Sequence, residues 1–182
     1  MIKTKYTKGF TLVELLVVIA IIAILAAALF LVINPANLME KSRDARRISE
    51  LTEVNKALAA ALADGKLTPP TLAVATRSSC TGTFVVTGAG WVGGWAAGGT
   101  MGDFMTVLPR DPRNVAPLCY EFAWNASGQW EFSAVLESGD NAGLVVNDGG
   151  DSGSVAGCTA DTMPTTSCKY EIGTRPGLDI IH

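Results

Sequence analysis

From Leu15 to Ile33 the chain carries no charged or strongly polar side chain, and the run ends only at Asn34. At about 1.5 Å of helical rise per residue this length is close to the roughly 30 Å hydrocarbon thickness of a bilayer. The segment is therefore expected to span a membrane, which leaves the rest of the 182 residues for one small domain. Ahead of the run lie Lys3, Lys5 and Lys8, and none of its own residues is basic. The positive-inside rule then keeps residues 1–9 in the cytoplasm and exports everything after Ile33, including all four cysteines.

The front edge of the run is unusual. Lys8-Gly9-Phe10-Thr11-Leu12-Val13-Glu14 places one carboxylate, Glu14, a turn inside the apolar segment. On insertion scales that costs about 2–3 kcal/mol, so Glu14 calls for a partner, unless it only sits at headgroup depth. Ala26-Ala27-Ala28 could end an ordinary secretory signal, but such a signal has an uncharged core, and here apolar residues continue past the alanines.

The string from Lys8 to Glu14 resembles the type III signal of type IV prepilins and type II secretion pseudopilins. The resemblance implies cleavage after Gly9 by a prepilin peptidase that also methylates the new Phe10 amine. It implies that Glu14 offsets the Phe10 amine of a neighbouring subunit during filament assembly. Such a pair is worth about 4 kcal/mol at ~4 Å and an effective dielectric near ~20. The implied partners are identical subunits in a homopolymer, the peptidase and N-methyltransferase, an assembly platform with its ATPase, and membrane lipid before assembly. The implied location is the cytoplasmic membrane first and a surface filament afterwards.

The implied fold class is α+β: a type IV pilin fold in which a long N-terminal helix, first transmembrane and then amphipathic, packs on a small antiparallel β headpiece. The expected divisions are a leader at 1–9, a membrane or filament-core helix at 10–33, its amphipathic half at 34–64, and a disulfide-stapled headpiece at 65–182. Pro35 follows Asn34 and predicts a kink or short break, a further feature expected to matter in assembly.

From Leu38 to Ala63 the pattern is that of an amphipathic helix, with Leu38, Ala45, Ile48, Leu51, Val54 or Asn55, Leu58 and Leu62 along an apolar stripe. The charge run Arg43-Asp44-Ala45-Arg46-Arg47 mixes signs and reads as a solvated face with subunit contacts, rather than a lipid-headgroup site. Gly65 suits a left-handed cap after Asp64.

Thr83–Thr87 reads as a strand running into Gly88-Ala89-Gly90-Trp91-Val92-Gly93, a literal GxGxxG. No acidic residue closes a second strand at the usual distance, so the run is expected to be a glycine-rich loop whose Trp91 and Trp95 pack on the sheet or on a neighbouring subunit. A short helical stretch is expected around Asp103–Val107. Pro109-Arg110-Asp111-Pro112 then resembles the Pro-x-Asp-Pro turn of major pseudopilins and related pilins, and physically predicts a rigid turn.

Tyr120, Phe122 and Trp124 alternate before an Asn125–Gly128 turn, and Trp130, Phe132, Ala134 and Leu136 alternate after it. This predicts an antiparallel hairpin with one aromatic face, the natural cover for the helix stripe. The Asn125-Ala126-Ser127 glycosylation pattern is explained more simply by the turn.

Glu137–His182 reads as loop-rich. Asp140, Asn147, Asp148 and Asp151 offer oxygen ligands without EF-hand spacing, and the resemblance to major pseudopilins makes them a candidate calcium set. Otherwise no cofactor is expected. The four cysteines allow three pairings. Proximity favours Cys158–Cys168, closing a short loop as pilins often do near their C-terminus, and leaves Cys80–Cys119.

No catalytic constellation is legible, since His182 is the sole histidine and Ser, Asp and Glu form no motif. No enzyme activity is expected. The formal charge of −3 falls to about −6 on side chains once the three leader lysines are removed, which argues against a nucleic-acid footprint. The readings left are a pilus subunit, a secretion pseudopilin, and an anchored binding module that uses the tryptophan loop.

Overall fold

A computed structural model describes residues 9–70, 74–95, 98–150, 157–164, 166 and 168–174. Lys3, Lys5, Lys8, Asp151 and His182 lie outside the described residues. The chain forms two compact units, Met1–Leu38 and Met39–His182, which are taken separately.

In the first unit, α1 runs from Leu12 to Val32. It starts at a capping box: the Thr11 hydroxyl accepts from the Glu14 amide, while the Glu14 carboxylate accepts from the Thr11 amide. The window Leu12–Leu29 is long and apolar enough to cross a membrane, and none of it is buried in the protein. α1 ends where Ile33 turns extended, and α2, Pro35–Ala63, starts after Asn34. The expected break is thus present, with two helices in place of one continuous rod.

In the second unit, α2 buries Asp44, Arg47, Leu51, Val54, Ala57, Leu58 and Ala61. The stripe is as expected from Leu51 onward, whereas Leu38 and Ala45 are exposed. Gly65, at φ +70°, closes the helix, with the Lys66 amide donating to Ala61 O and the Gly65 amide to Leu62 O. Those are the paired bonds of a left-handed glycine cap.

The sheet is an antiparallel meander of β1 (Val74–Ser78), β2 (Tyr120–Trp124), β3 (Trp130–Val135) and β4 (Lys169–Gly173), in that spatial order. Its centre is the expected hairpin, with Phe122 opposite Phe132 and Trp124 opposite Trp130. Asn125 holds the turn by accepting from the Ser127 and Gln129 amides, and its own amide donates to Gln129 Oε1. Between the aromatic face and α2 lies the core: Leu51, Val54, Leu58 and Ala61 against Tyr120, Phe122, Trp124, Trp130 and Phe132. Two polar ties cross this layer, from the Tyr120 hydroxyl to Glu50 and from Trp130 Nε1 to Asn55 Oδ1 at 2.7 Å.

The structure corrects two expectations of secondary structure. Thr83–Thr87 is no strand: it contributes only isolated bridges, Thr83 to Gly90 and Thr87 to Thr100. The first strand is Val74–Ser78 instead, which lacks clean period-2 alternation in sequence. Around Asp103–Val107 the chain makes turns and no helix, with the Phe104 and Met105 amides both donating to Met101 O. Within the loop-rich tail lie the edge strand β4 and a short helix, α3, at Ala142–Val146.

The glycine-rich loop packs on the sheet. Trp91 is fully buried with its ring 5.7 Å from Tyr120 and 6.1 Å from Phe132, and its Nε1 donates to Pro109 O at 3.0 Å. Trp95 lies edge-on to Trp124 at 6.1 Å. The carbonyls of Gly88 and Gly90 accept from Arg77, and that of Gly93 accepts from Trp124 Nε1. A Cβ at Gly90 would stand 2.1 Å from Val85 O, so close backbone approach, not a phosphate cradle, explains the glycine.

Leu58 is fully enclosed in this core. Leu58→Ala is expected to destabilise the headpiece by about 2–5 kcal/mol, read from denaturant unfolding of the full chain in detergent by tryptophan fluorescence.

Candidate functional site

Two sites carry polar groups in unusual places. The first is the start of α1. Gly9 is exposed and Phe10 is 90% exposed, so the expected cleavage position is accessible and the side chain that would follow it is uncovered. The Glu14 carboxylate lies against Thr11 of its own chain, 2.8 Å from both the backbone nitrogen and the hydroxyl. This contact was legible as the Thr-x-x-Glu spacing of a capping box, and the reading of Glu14 as an assembly residue passed over it. Glu14 therefore anchors the helix start in the single chain. The pairing with another subunit's Phe10 amine implied by the resemblance involves a second copy.

The second is a buried charge cluster built on α2. Asp44 and Arg47, three residues apart, are both fully buried. This overturns the reading of Arg43–Arg47 as a solvated face in part: Asp44 and Arg47 belong to the core and Arg43 is half-buried, while Arg46 stays exposed and pairs with Glu50. Arg47 donates through Nε and Nη2 to both oxygens of Asp111, at 2.6 and 3.1 Å, and through Nη1 to Asp44 at 2.9 Å. Its Nη2 also lies 2.7 Å from Glu137. Arg43 forks onto Glu137 at 2.8 and 2.7 Å, with Arg113 a third cation on that carboxylate at 3.3 Å.

Each carboxylate fastens a different segment. Asp111 is the acid of the Pro-x-Asp-Pro turn, and its Oδ1 also takes the backbone amides of Arg113 and Asn114, which stabilises Asn114 at φ +47°. Asp44 accepts the amides of Glu137 and Ser138 and the side-chain amide of Asn141, so it caps the segment leaving β3. Burial alone would raise the Glu137 carboxyl. The hydrogen bonds from Arg43, Arg47 and Arg113, with the field of Arg47, outweigh burial and hold it down at about 2. Burial likewise works against the Arg47 charge, and Asp111 and Glu137 reverse that and raise its pKa.

Cys80 is joined to Cys119 and Cys158 to Cys168, with Cα atoms 5.6 and 5.7 Å apart. The first bridge lies at the start of β2, and the second lies beside Leu136 and Val145 in a small satellite core. Of the candidate calcium ligands, the described ones, Asp140, Asn147 and Asp148, each make contacts within the chain. Asp140 pairs with Lys41 at 2.6 Å, the Asn147 amide donates to Gly143 O, and Asp148 accepts the Gly150 and Glu171 amides. Burial raises the Asp148 carboxyl despite those amides. Among the described residues no group of three or more His, Cys, Asp or Glu side chains could hold a metal ion.

Residues 4–30 match a family model described as the prokaryotic N-terminal methylation motif. No curated protein and no solved structure matches the chain.

Removing Arg47 strands buried acids, so Arg47→Ala is expected to cost about 3–5 kcal/mol in the same unfolding assay. Arg47→Lys is expected to recover little, because an ammonium cannot reproduce the two-oxygen fork on Asp111. The Glu137 carboxyl titrates lower in the folded chain than the ordinary 4.5 of an unfolded one, so its contribution is complete at neutral pH. Stability is expected to fall as pH drops from about 4.5 toward about 2, and Glu137→Gln is expected to flatten that part of the profile.

Proposed function

We propose that this chain, which carries the N-terminal signal motif of type IV pilins and pseudopilins, is a structural subunit that polymerises into an extracellular type IV pilus after cleavage between Gly9 and Phe10. The observation that carries the reading is the conjunction at one end of the chain. An exposed processing string is followed at once by Glu14 and then by an apolar helix with no cover from its own protein. Such a helix has two stable settings, a bilayer and a bundle of identical helices. Before assembly it anchors the subunit in the membrane. In the filament the Leu, Ile and Val side chains of other subunits replace the lipid, so extraction by an ATP-driven machine exchanges one apolar environment for another. A head-to-tail arrangement of one repeated contact then extends without closing.

The Pro-x-Asp-Pro turn favours the second reading, a pseudopilin that builds a short secretion piston. In this chain the turn's acid has a structural occupation, since Asp111 is bound by Arg47. A turn used in this way suits either kind of subunit.

The deciding experiment is electron microscopy of filaments sheared from cells, with mass spectrometry of the subunit's N-terminus. Long fibres of a chain beginning at methylated Phe10 are the expected result. A processed chain without long fibres would favour the piston, and an intact Met1 terminus would end the whole reading. Glu14→Ala is expected to abolish filaments while leaving headpiece stability unchanged. Loss of the headpiece fold in that variant would show that Glu14 acts on folding instead.

A further inference from the structure

We infer that Asn34 is the positioning residue that fixes where the apolar helix stops, by capping α2 as an independent helix and so making the break a permanent feature of the single chain. In a continuous helix the amides of Ala36 and Asn37 would donate to the carbonyls of Val32 and Ile33. Here both turn to Asn34 Oδ1, at 3.2 and 3.5 Å, while the Leu38 amide takes the Asn34 carbonyl at 3.3 Å. This is the arrangement of an N-cap: the side-chain oxygen serves the second and third amides, and the backbone carbonyl starts the new ladder.

The neighbours agree with the cap. Pro35 occupies the first helical position, where a missing amide proton is harmless and a φ near −65° is already helical. Its ring also drives Asn34 out of helical geometry. Ile33, at φ −87° and ψ 104°, is extended and closes α1 with its amide on Leu29 O. Proline alone would kink a helix and leave its ladder to resume wherever packing allowed. The asparagine oxygen ties the restart to one residue.

The position is also physically permitted. The carbonyls freed by the break follow the apolar window Leu12–Leu29 and lie at the C-terminal edge of the run that ends at Ile33, where water and headgroups are nearer than at its middle. If the chain assembles as proposed above, each subunit enters the filament with the break already made. That consequence rests on the filament reading, whereas the capped break does not.

The test uses the full chain in detergent micelles, without filaments, so its failure is distinct from failure of the filament reading. Backbone NMR shifts and amide exchange are measured for the wild type, Asn34→Ala and Asn34→Asp. The expected result is non-helical shifts at Ile33 and Asn34 in the wild type. Loss of protection at the Ala36 and Asn37 amides is expected to be about fivefold in Asn34→Ala and to be restored in Asn34→Asp. Helical shifts running unbroken through Ile33 and Asn34 would overturn the inference. So would a break whose Ala36 and Asn37 amides are equally protected in Asn34→Ala, because the cap would then not be what holds it.

Discussion

Burial of the Arg47 guanidinium is the constraint on which the headpiece depends. A cation with no exposed surface is tolerable only when its donors all find acceptors. Here the acceptors come from its own helix (Asp44), from the turn before the hairpin (Asp111), and from the segment after it (Glu137). Three stretches distant in sequence are thereby held at one point on α2. Asp44 adds to this by taking backbone amides at Glu137 and Ser138, so the chain leaving β3 is fastened by main chain as well as side chain. The aromatic layer supplies most of the apolar burial. It is non-directional, whereas the charge cluster requires named partners at one place on α2.

The same division of labour recurs around the sheet. Large rings fill space, and single polar bonds decide their orientation: Trp91 to Pro109, Trp124 to Gly93, Trp130 to Asn55 and Tyr120 to Glu50. Glycines in the 88–93 loop let main chain approach main chain, Gly90 against Val85 O and Gly93 against Gly88 O. A motif that literally matches a nucleotide fingerprint is here a lid of main chain over an aromatic core. The two disulfides close the ends of the sheet region and relieve the small core of having to hold the outer loops alone.

At the other end, the chemistry is concentrated in few residues. α1 has no apolar face to distinguish, being apolar all round, so its specificity has to come from its two ends. One end is the Thr11–Glu14 capping box and the other is the Asn34-Pro35 restart. Between them the helix is apolar on every side and has no cover from its own protein.

Local periodicity and motif chemistry were legible directly. The uninterrupted apolar run, the processing string, the stripe from Leu51 to Leu62, the glycine stop at Gly65 and the aromatic hairpin each depend on residues within a few positions of one another, and the structure has the helices, the stop and the hairpin where those patterns put them. What only the tertiary structure decided involves partners far apart in sequence. Charge pattern alone made Arg43–Arg47 look solvated, because nothing local announces that Asp111 and Glu137 lie 64 and 90 residues further on to receive Arg47. Val74–Ser78 and Lys169–Gly173 became strands because β2 and β3 offered open edges to pair with, not because their own composition demanded it. Thr83–Thr87, with better strand propensity, was drawn into loop bridges by the packing of Trp91. Local preference is worth tenths of a kcal/mol per residue, and a buried charge or a buried indole is worth several, so where the two disagreed the long-range contact prevailed.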